Sequence, residues 1–476
     1  MKTTICHPNS FEPEQHFYPR VLNAQLHPLV RYFLSLNNSQ IAQRYCHLHP
    51  EANALAVKEF LDNKLNYFHW GGADLIHSTN EEGNRSIVLI ETNSSPSGQK
   101  SMPYIHEHEE TAGYLKLLRE AFFPALKSKR IPKGRLAVFY DKNFMEASGY
   151  ANVMSDISGE DVLLVPVFDN GDSNIRCRED GVIEANVSDE WLPIRAALRY
   201  VTQKPWNRIP PLTKTFIFNP LVICLAGGRN KLLAAKAYDI FNGGQEEQGL
   251  RIQIPETIWD VSLEEIPIWI ERMGGVAVVK VPYSNAGQGV FTITSQLELD
   301  RFMELDHNYD QFIVQALIGN VGWSSRSESG KLYHIGTMPD KKGKIYVTDL
   351  RFMVGNGPSG FFPVSIYARR ARNFLTDDAP EKGKSWEMLG TNLSFKQENG
   401  DWGTEKNRLL LMDSRDFNKL GISLDTLIEA YLQTLLSMCA IDNMAKNLIS
   451  SKGKFKKKYF SMLNPDKTLI DEIYTL

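Results

Sequence analysis

The sequence predicts a mixed α/β (α+β) chain holding both parallel and antiparallel sheet, and three observations predict it. RLAVFY (Arg135 to Tyr140) and DVLLVPV (Asp161 to Val167) are continuous apolar runs with a helix-like stretch between them. That is the pattern of parallel strands covered on both faces. The runs Ala73 to His77 and Ser86 to Thr92 flank the turn-rich STNEEGN and read as a β-hairpin. Leu22 to about Phe60 and Leu424 to Leu448 carry apolar residues at helical spacing.

Taken in order, the first helical region predicts two or three helices, and the second hairpin strand empties into the loop NSSPSG. A helix follows around Glu109 to Leu126. After the two parallel strands, Trp191 to Thr202 reads as a helix and Thr215 to Asn219 as a strand. From Asn230 the pattern changes to that of a different domain. A helix from Lys231 to Phe241 leads to a strand at Val276 to Val281, a glycine-bearing loop and a strand from Gly289 to Thr294. Ser295 to Leu305 is helical, Gln311 to Gln315 is a strand, and Lys331 to Arg370 is antiparallel. The tail KGKFKKK, Lys452 to Lys458, reads as a solvated run.

At 476 residues the chain exceeds one ordinary core, which predicts two or three domains. Its net charge of −3 predicts no general attraction to nucleic acid or an anionic membrane. The N-terminal MKTTICHPNSFEPEQ lacks the apolar stretch of a signal peptide. The five cysteines are scattered without CxxC spacing, so neither a zinc site nor a disulfide framework is expected. A cytoplasmic location fits these features.

Several segments carry candidate chemistry. In IETNSSPSG, Glu91 and Asn93 point to one face of a strand, because side chains alternate with period two. A carboxylate beside an amide oxygen is a hard-ligand pair suited to Mg²⁺ carrying nucleotide phosphates. Asp74, on the preceding strand, could face the same ion. The same spacing also describes an exposed polar strand end with Asn93 starting a turn. In VAVVKVPYSNAGQGVFTI, Lys280 ends a buried strand, where an ammonium needs an anion. The following loop, Ser284, Asn285, Ala286, Gly287, Gln288 and Gly289, can bring backbone N–H groups close to phosphates. It is neither a Walker loop nor a Rossmann fingerprint, and a hairpin turn with a surface lysine has the same pattern.

Lys231 near a helix start, with Asn230 as candidate N-cap, favours anions. FIVQALIG is a strand entering a loop, where Gln315, Ala316 and Leu317 could meet an adenine ring. Asp349 and Arg351 share one face of VTDLRFMV, and Arg369, Arg370 and Arg372 follow, then Thr391 and Asn392. Arginines aimed into a cleft stabilise phosphoryl and tetrahedral charge, and cross-strand salt bridges use the same residues. HEHEE, His106 to Glu110, lacks HExxH spacing and reads as acidic capping of the helix that follows.

Together these segments resemble the ATP-grasp superfamily of carboxylate–amine ligases, including D-alanine–D-alanine ligases and ribosomal-modification ligases. NKLLAAKAYDIFN resembles the first lysine helix, VAVVKVPYSNAGQGV the second lysine and phosphate-covering loop, and QFIVQALIG the adenine hinge. Gln315 stands where an acidic residue is usual. DLRFMV resembles the strand bearing a catalytic arginine, Arg351, and IETNSSPSG the magnesium motif, with Asp74 as the earlier ligand. In the ordinary family the metal motif comes last; here it precedes Lys280 by nearly two hundred residues. That order resembles circularly permuted members, with a Rossmann-like pre-ATP-grasp domain inside the core.

The resemblance implies helices and a metal-bearing piece over 1–110, the Rossmann-like domain over 111–228, the nucleotide lid over 229–318 and the remaining core over 319–476. It implies ATP and Mg²⁺, with Lys280 and Arg351 as catalytic groups. Small-molecule or peptide carboxylate and amine substrates would join through an acyl phosphate. Ser101, Arg369, Arg370 and Asn392 are the expected substrate contacts, and Arg195, Arg199 and Arg208 in WLPIRAALRYVTQKPWNRIP further anchors or a solvated helix face. A phosphotransferase or nucleotidyl transferase, or a non-catalytic nucleotide-binding protein, would share every nucleotide residue.

Overall fold

The computed structural model describes the chain apart from residues 107, 128–129, 169–172, 204–207, 285–286, 329, 381–382, 397–401 and 475–476. Three sheets frame the molecule. In the first, Arg135–Tyr140 and Val162–Pro166 lie parallel, joined by the helix Phe144–Ser158. The third parallel member is Glu190–Tyr200, which pairs with Arg135–Tyr140 on one side and Phe216–Phe218 on the other. The helix expected over this segment is therefore corrected to a strand. The physical reason is burial on both faces: Ala196, Leu198 and Tyr200 face one core, and Ala197 with Ile194 another. A strand buried on both sides shows no alternation, so periodicity cannot separate it from a buried helix.

The second sheet is antiparallel and brings distant parts of the chain together. The hairpin Trp70–Asn80 and Arg85–Ser94 forms as the turn signals predict. The other edge of Trp70–Asn80 pairs with Thr348–Gly357, which pairs in turn with Gly360–Arg370. A bulge falls between the pairs Asp74–Glu91 and Leu75–Leu89, leaving Ile90 outside the ladder. The third sheet, of order Thr257–Val261, Phe312–Gln315, Ala277–Lys280 and Val290–Ile293, is antiparallel throughout and has its own small core beneath two helices.

Behind the second sheet runs the helix Leu424–Asn447, started by a Ser423–Thr426 capping box. By length and composition it could cross a membrane, yet 83% of its most apolar window is buried inside the protein. It is a core helix, packed by Pro28–Ser35, Asn38–Leu48 and Ala54–Asp62. The helix after HEHEE starts only at Ala112, with Thr111 at its N-cap, no side-chain cap bond and no acidic residue in its first turn. The capping read into that acidic run is therefore corrected: its carboxylates precede the N-cap, and the first turn of the helix forms without them.

Candidate active site

The three sheets border a cavity of about 1080 Å³. The hairpin strands supply its floor. Asp74 and Glu91 sit directly opposite each other, Asn93 lies two residues beyond Glu91, and all three line the cavity. Arg229 Nη1 donates to Asn93 Oδ1 at 2.9 Å and Nη2 to the Ser94 carbonyl at 2.8 Å. Asn93 Nδ2 is buried with no partner among the described residues. The Glu91 carboxylate meets the Lys231 ammonium at 3.5 Å, its one ion pair among the described residues.

Asp74 is held differently. Arg351 donates to it through both Nε and Nη2, the latter at 2.7 Å, and Arg369 Nη2 lies 3.0 Å away. Arg369 Nε donates in turn to Asp349 Oδ1 at 2.9 Å. Burial alone would push the Asp74 carboxyl up, but the charges of Arg351 and Arg369 outweigh it and hold it at about 2. Both oxygens of Asp74 thus rest on guanidinium groups. Glu91 fits a magnesium ion, since its one ion pair among the described residues is the 3.5 Å contact with Lys231. The single side-chain oxygen of Asn93 accepts from Arg229 Nη1 and has its second lone pair left for a cation that takes its other ligands from phosphate and water.

Two lysines reach this floor from above. Asn230 caps the helix Lys231–Gln245 by accepting from the Leu233 N–H. This places Lys231 at the helix start, with its Nζ donating to Ser284 Oγ at 3.0 Å. Lys280, the last residue of its strand, donates to the Ile90 carbonyl at 3.2 Å, the group freed by the bulge. Burial lowers the Lys280 ammonium to about 8, opposed by Glu91 and assisted by Lys231. The loop between the strands covers the cavity with Ser284, Gly287, Gln288 and Gly289. Gly287 has φ +76°, and a Cβ there would lie 3.0 Å from the Trp386 ring; at Gly289 it would lie 2.2 Å from Val281 Cγ2. Asn285 and Ala286 lie outside the described residues.

Gln315, Ala316 and Leu317 line the cavity. The Ala316 N–H donates to the Glu256 carbonyl and the Leu317 N–H to Ser325 Oγ. Those two donors are committed within the protein. Ser101, Arg351, Arg369 and Asn392 also line the cavity.

Arg370 does not. One residue beyond Arg369 on the strand, it points to the opposite face and stacks its guanidinium on Tyr346, 4.3 Å from the ring centroid. The three arginines read as further anchors also lie elsewhere. Arg195 pairs with Glu160 at 2.8 Å, Arg199 donates to the Asn219 carbonyl at 2.6 Å, and Arg208 pairs with Asp141 at 2.9 Å. Arg195 and Arg199 lie on the strand Glu190–Tyr200, and Arg208 in the segment beyond it. Sequence reasoning missed Arg229 and Lys142. The first had a signal, its place in AGGRN beside Lys231; the second follows a strand end with nothing to mark it.

No protein-family model matches the chain, and no curated protein matches it. Among solved structures it is similar to a RimK-domain ATP-grasp protein from Sphaerobacter thermophilus, with 15% identity and a TM-score of 0.29 over 51% of this chain and 92% of the other. A glutathione synthetase-like effector from Globodera pallida overlaps at 8% identity and TM-score 0.37, over 73% of this chain and 86% of its own. N5-carboxyaminoimidazole ribonucleotide synthetase in its ADP complex overlaps at 8% and 0.21, over 54% and 73%. At these scores the ATP-grasp likeness assigns no activity; the cavity's own geometry carries the functional reading.

Proposed function

We propose that the chain is an ATP-dependent carboxylate–amine ligase with its ATP-grasp core in permuted order. The observation that supports this reading is the meeting of Lys231, Glu91 and Lys280, from three separated segments, over one cavity floor. Two ammonium groups beside a carboxylate suit a triphosphate with its counter-ion better than any neutral ligand.

Lys231 and Lys280 hold the phosphate oxygens, and the glycine-bearing loop excludes water above them. Magnesium held by Glu91 and Asn93 would neutralise phosphate charge. The substrate carboxylate attacks the γ-phosphorus and ADP leaves, giving an acyl phosphate. An amine then attacks the acyl carbon, loses a proton and expels inorganic phosphate, leaving an amide. Arg351 uses Nε and Nη2 on Asp74, so its Nη1 remains to meet the oxyanion of the tetrahedral intermediate. Nothing in this scheme needs a nucleophilic side chain.

The test is a screen of carboxylates and amines for ADP release. ADP that forms only when both partners are present, with an amide product, supports ligation. A phosphorylated or adenylylated product formed without an amine replaces the ligase with a transferase.

A further inference from the structure

The cavity extends past the floor toward the parallel sheet, and its charge there is not balanced. Lys142 follows the strand Arg135–Tyr140 and lines the cavity with Asn143, at the start of the helix Phe144–Ser158. Its ammonium makes no hydrogen bond or ion pair with any described residue. The neighbouring carboxylate, Asp141, is committed to Arg208 at 2.9 Å and to the Thr202 N–H. Lys100 and Ser101 line the same end, and among the described residues Lys100 Nζ donates only to the neutral Asn143 Oδ1, at 3.3 Å. Both lysines are thus cations in a cavity without a carboxylate of their own, unlike Lys231 with Glu91, or Arg351 and Arg369 with their aspartates.

This end is also built rather than loose. Glu146, fully buried, accepts from the Gly98 N–H at 2.8 Å and the Lys100 N–H at 3.2 Å, and its second oxygen takes the Tyr200 hydroxyl. One carboxylate thereby fixes the backbone that presents Lys100 and Ser101. Burial, and then the charge of Arg229, push Lys142 down to about 7, so the ligand-free protein holds this cation at a disadvantage that an anion would remove. The helix N-terminus beside it adds in the same direction.

We propose that Lys142 and Lys100 form a specificity subsite for a second carboxylate of the substrate, separate from the one that is activated. The substrate class is then an amino acid or peptide-like molecule bearing two carboxylates. The inference rests on the ligase reading for which carboxylate reacts, but the anion subsite itself can be measured without ATP.

The probes are N-acetylglutamate, with two carboxylates, and N-acetylglutamine, with one, titrated into the full chain by calorimetry. N-acetylglutamate should bind about tenfold tighter or better, as expected for one added charge-assisted contact. K142M should erase that ratio, and K142R should keep most of it. Unchanged affinity of both variants for a non-hydrolysable ATP analogue shows that the cavity is intact. Equal binding of the two probes to the wild type, or a ratio that survives in K142M, overturns the subsite. A wild-type chain that binds N-acetylglutamate but no ATP analogue overturns the ligase reading and leaves the subsite standing.

Discussion

The antiparallel sheet that carries Asp74 has two faces of opposite content. Toward the helix Leu424–Asn447 it presents Leu75, Leu350, Phe352 and Ile366; toward the cavity it presents Asp74, Asp349, Arg351 and Arg369. Both faces are nearly dry, since even the four charged side chains are only 6% to 12% exposed. Period-two alternation assigns each residue to its face, but the two faces cohere differently. The apolar one is held by water exclusion and dense contact, in which any well-fitting hydrocarbon serves. The charged one is held by matched partners, so each member makes sense only while the others are present.

The comparison can be broken most severely at the rim of the charged face. Glu91→Gln should abolish turnover while leaving the urea unfolding midpoint unchanged, because the one ion pair of Glu91 among the described residues is the 3.5 Å contact with Lys231. Near wild-type activity in that variant would remove the site as described. Next in size come two core substitutions. Arg369→Met should lower stability by about 3–5 kcal/mol, since it leaves Asp349 buried and unpaired. Adding Asp349→Leu should recover most of that loss. Phe352→Ala on the apolar face should also lose about 3–5 kcal/mol, with no change in nucleotide affinity. A second substitution at Leu350 should deepen that loss. Recovery on one face and further loss on the other, read from urea melts of the four variants, is the contrast to look for.

The smallest effect is electrostatic. With Lys280 at about 8, the nucleotide-free protein has lost much of this charge at pH 9, whereas a bound triphosphate favours the protonated form. Binding above pH 8 should therefore take up a proton, and affinity should fall as pH rises through 8, by at most tenfold per unit. Titrations in buffers of different ionisation heat measure the uptake directly. An uptake near zero at pH 9 would place the lysine outside the phosphate site.

Much of this arrangement was legible because local rules and tertiary context agree. The hairpin around STNEEGN, the glycines after Lys280 and the Asn230 cap each carry a turn or cap preference that the fold uses unchanged. The segment from Trp191 to Tyr200 has no such guide, because its later half is apolar at both periods; only burial on two faces makes it a strand. Arg370 was misplaced for a simpler reason: in a run of two arginines, alternation sends one to the cavity and its neighbour away. The pairing of Asp74 with Arg351 and Arg369 was invisible, since a carboxylate on a strand reads alike whether it awaits a metal or a guanidinium. Lys142 carried no signal at all, because its meaning comes from the absence of neighbours that only the folded chain reveals.

The contact between Asp74 and Arg351 spans 277 residues. At about 5–20 residues per second of synthesis, an early strand would wait roughly 14–55 s for the partner that covers its edge. During that interval the hairpin strand shows the ribosome's surroundings a bare row of peptide groups and a half-finished apolar face. A chain wired in this order should therefore lean on chaperones while it is being made, and slowing translation should increase the share that aggregates before its last helix emerges.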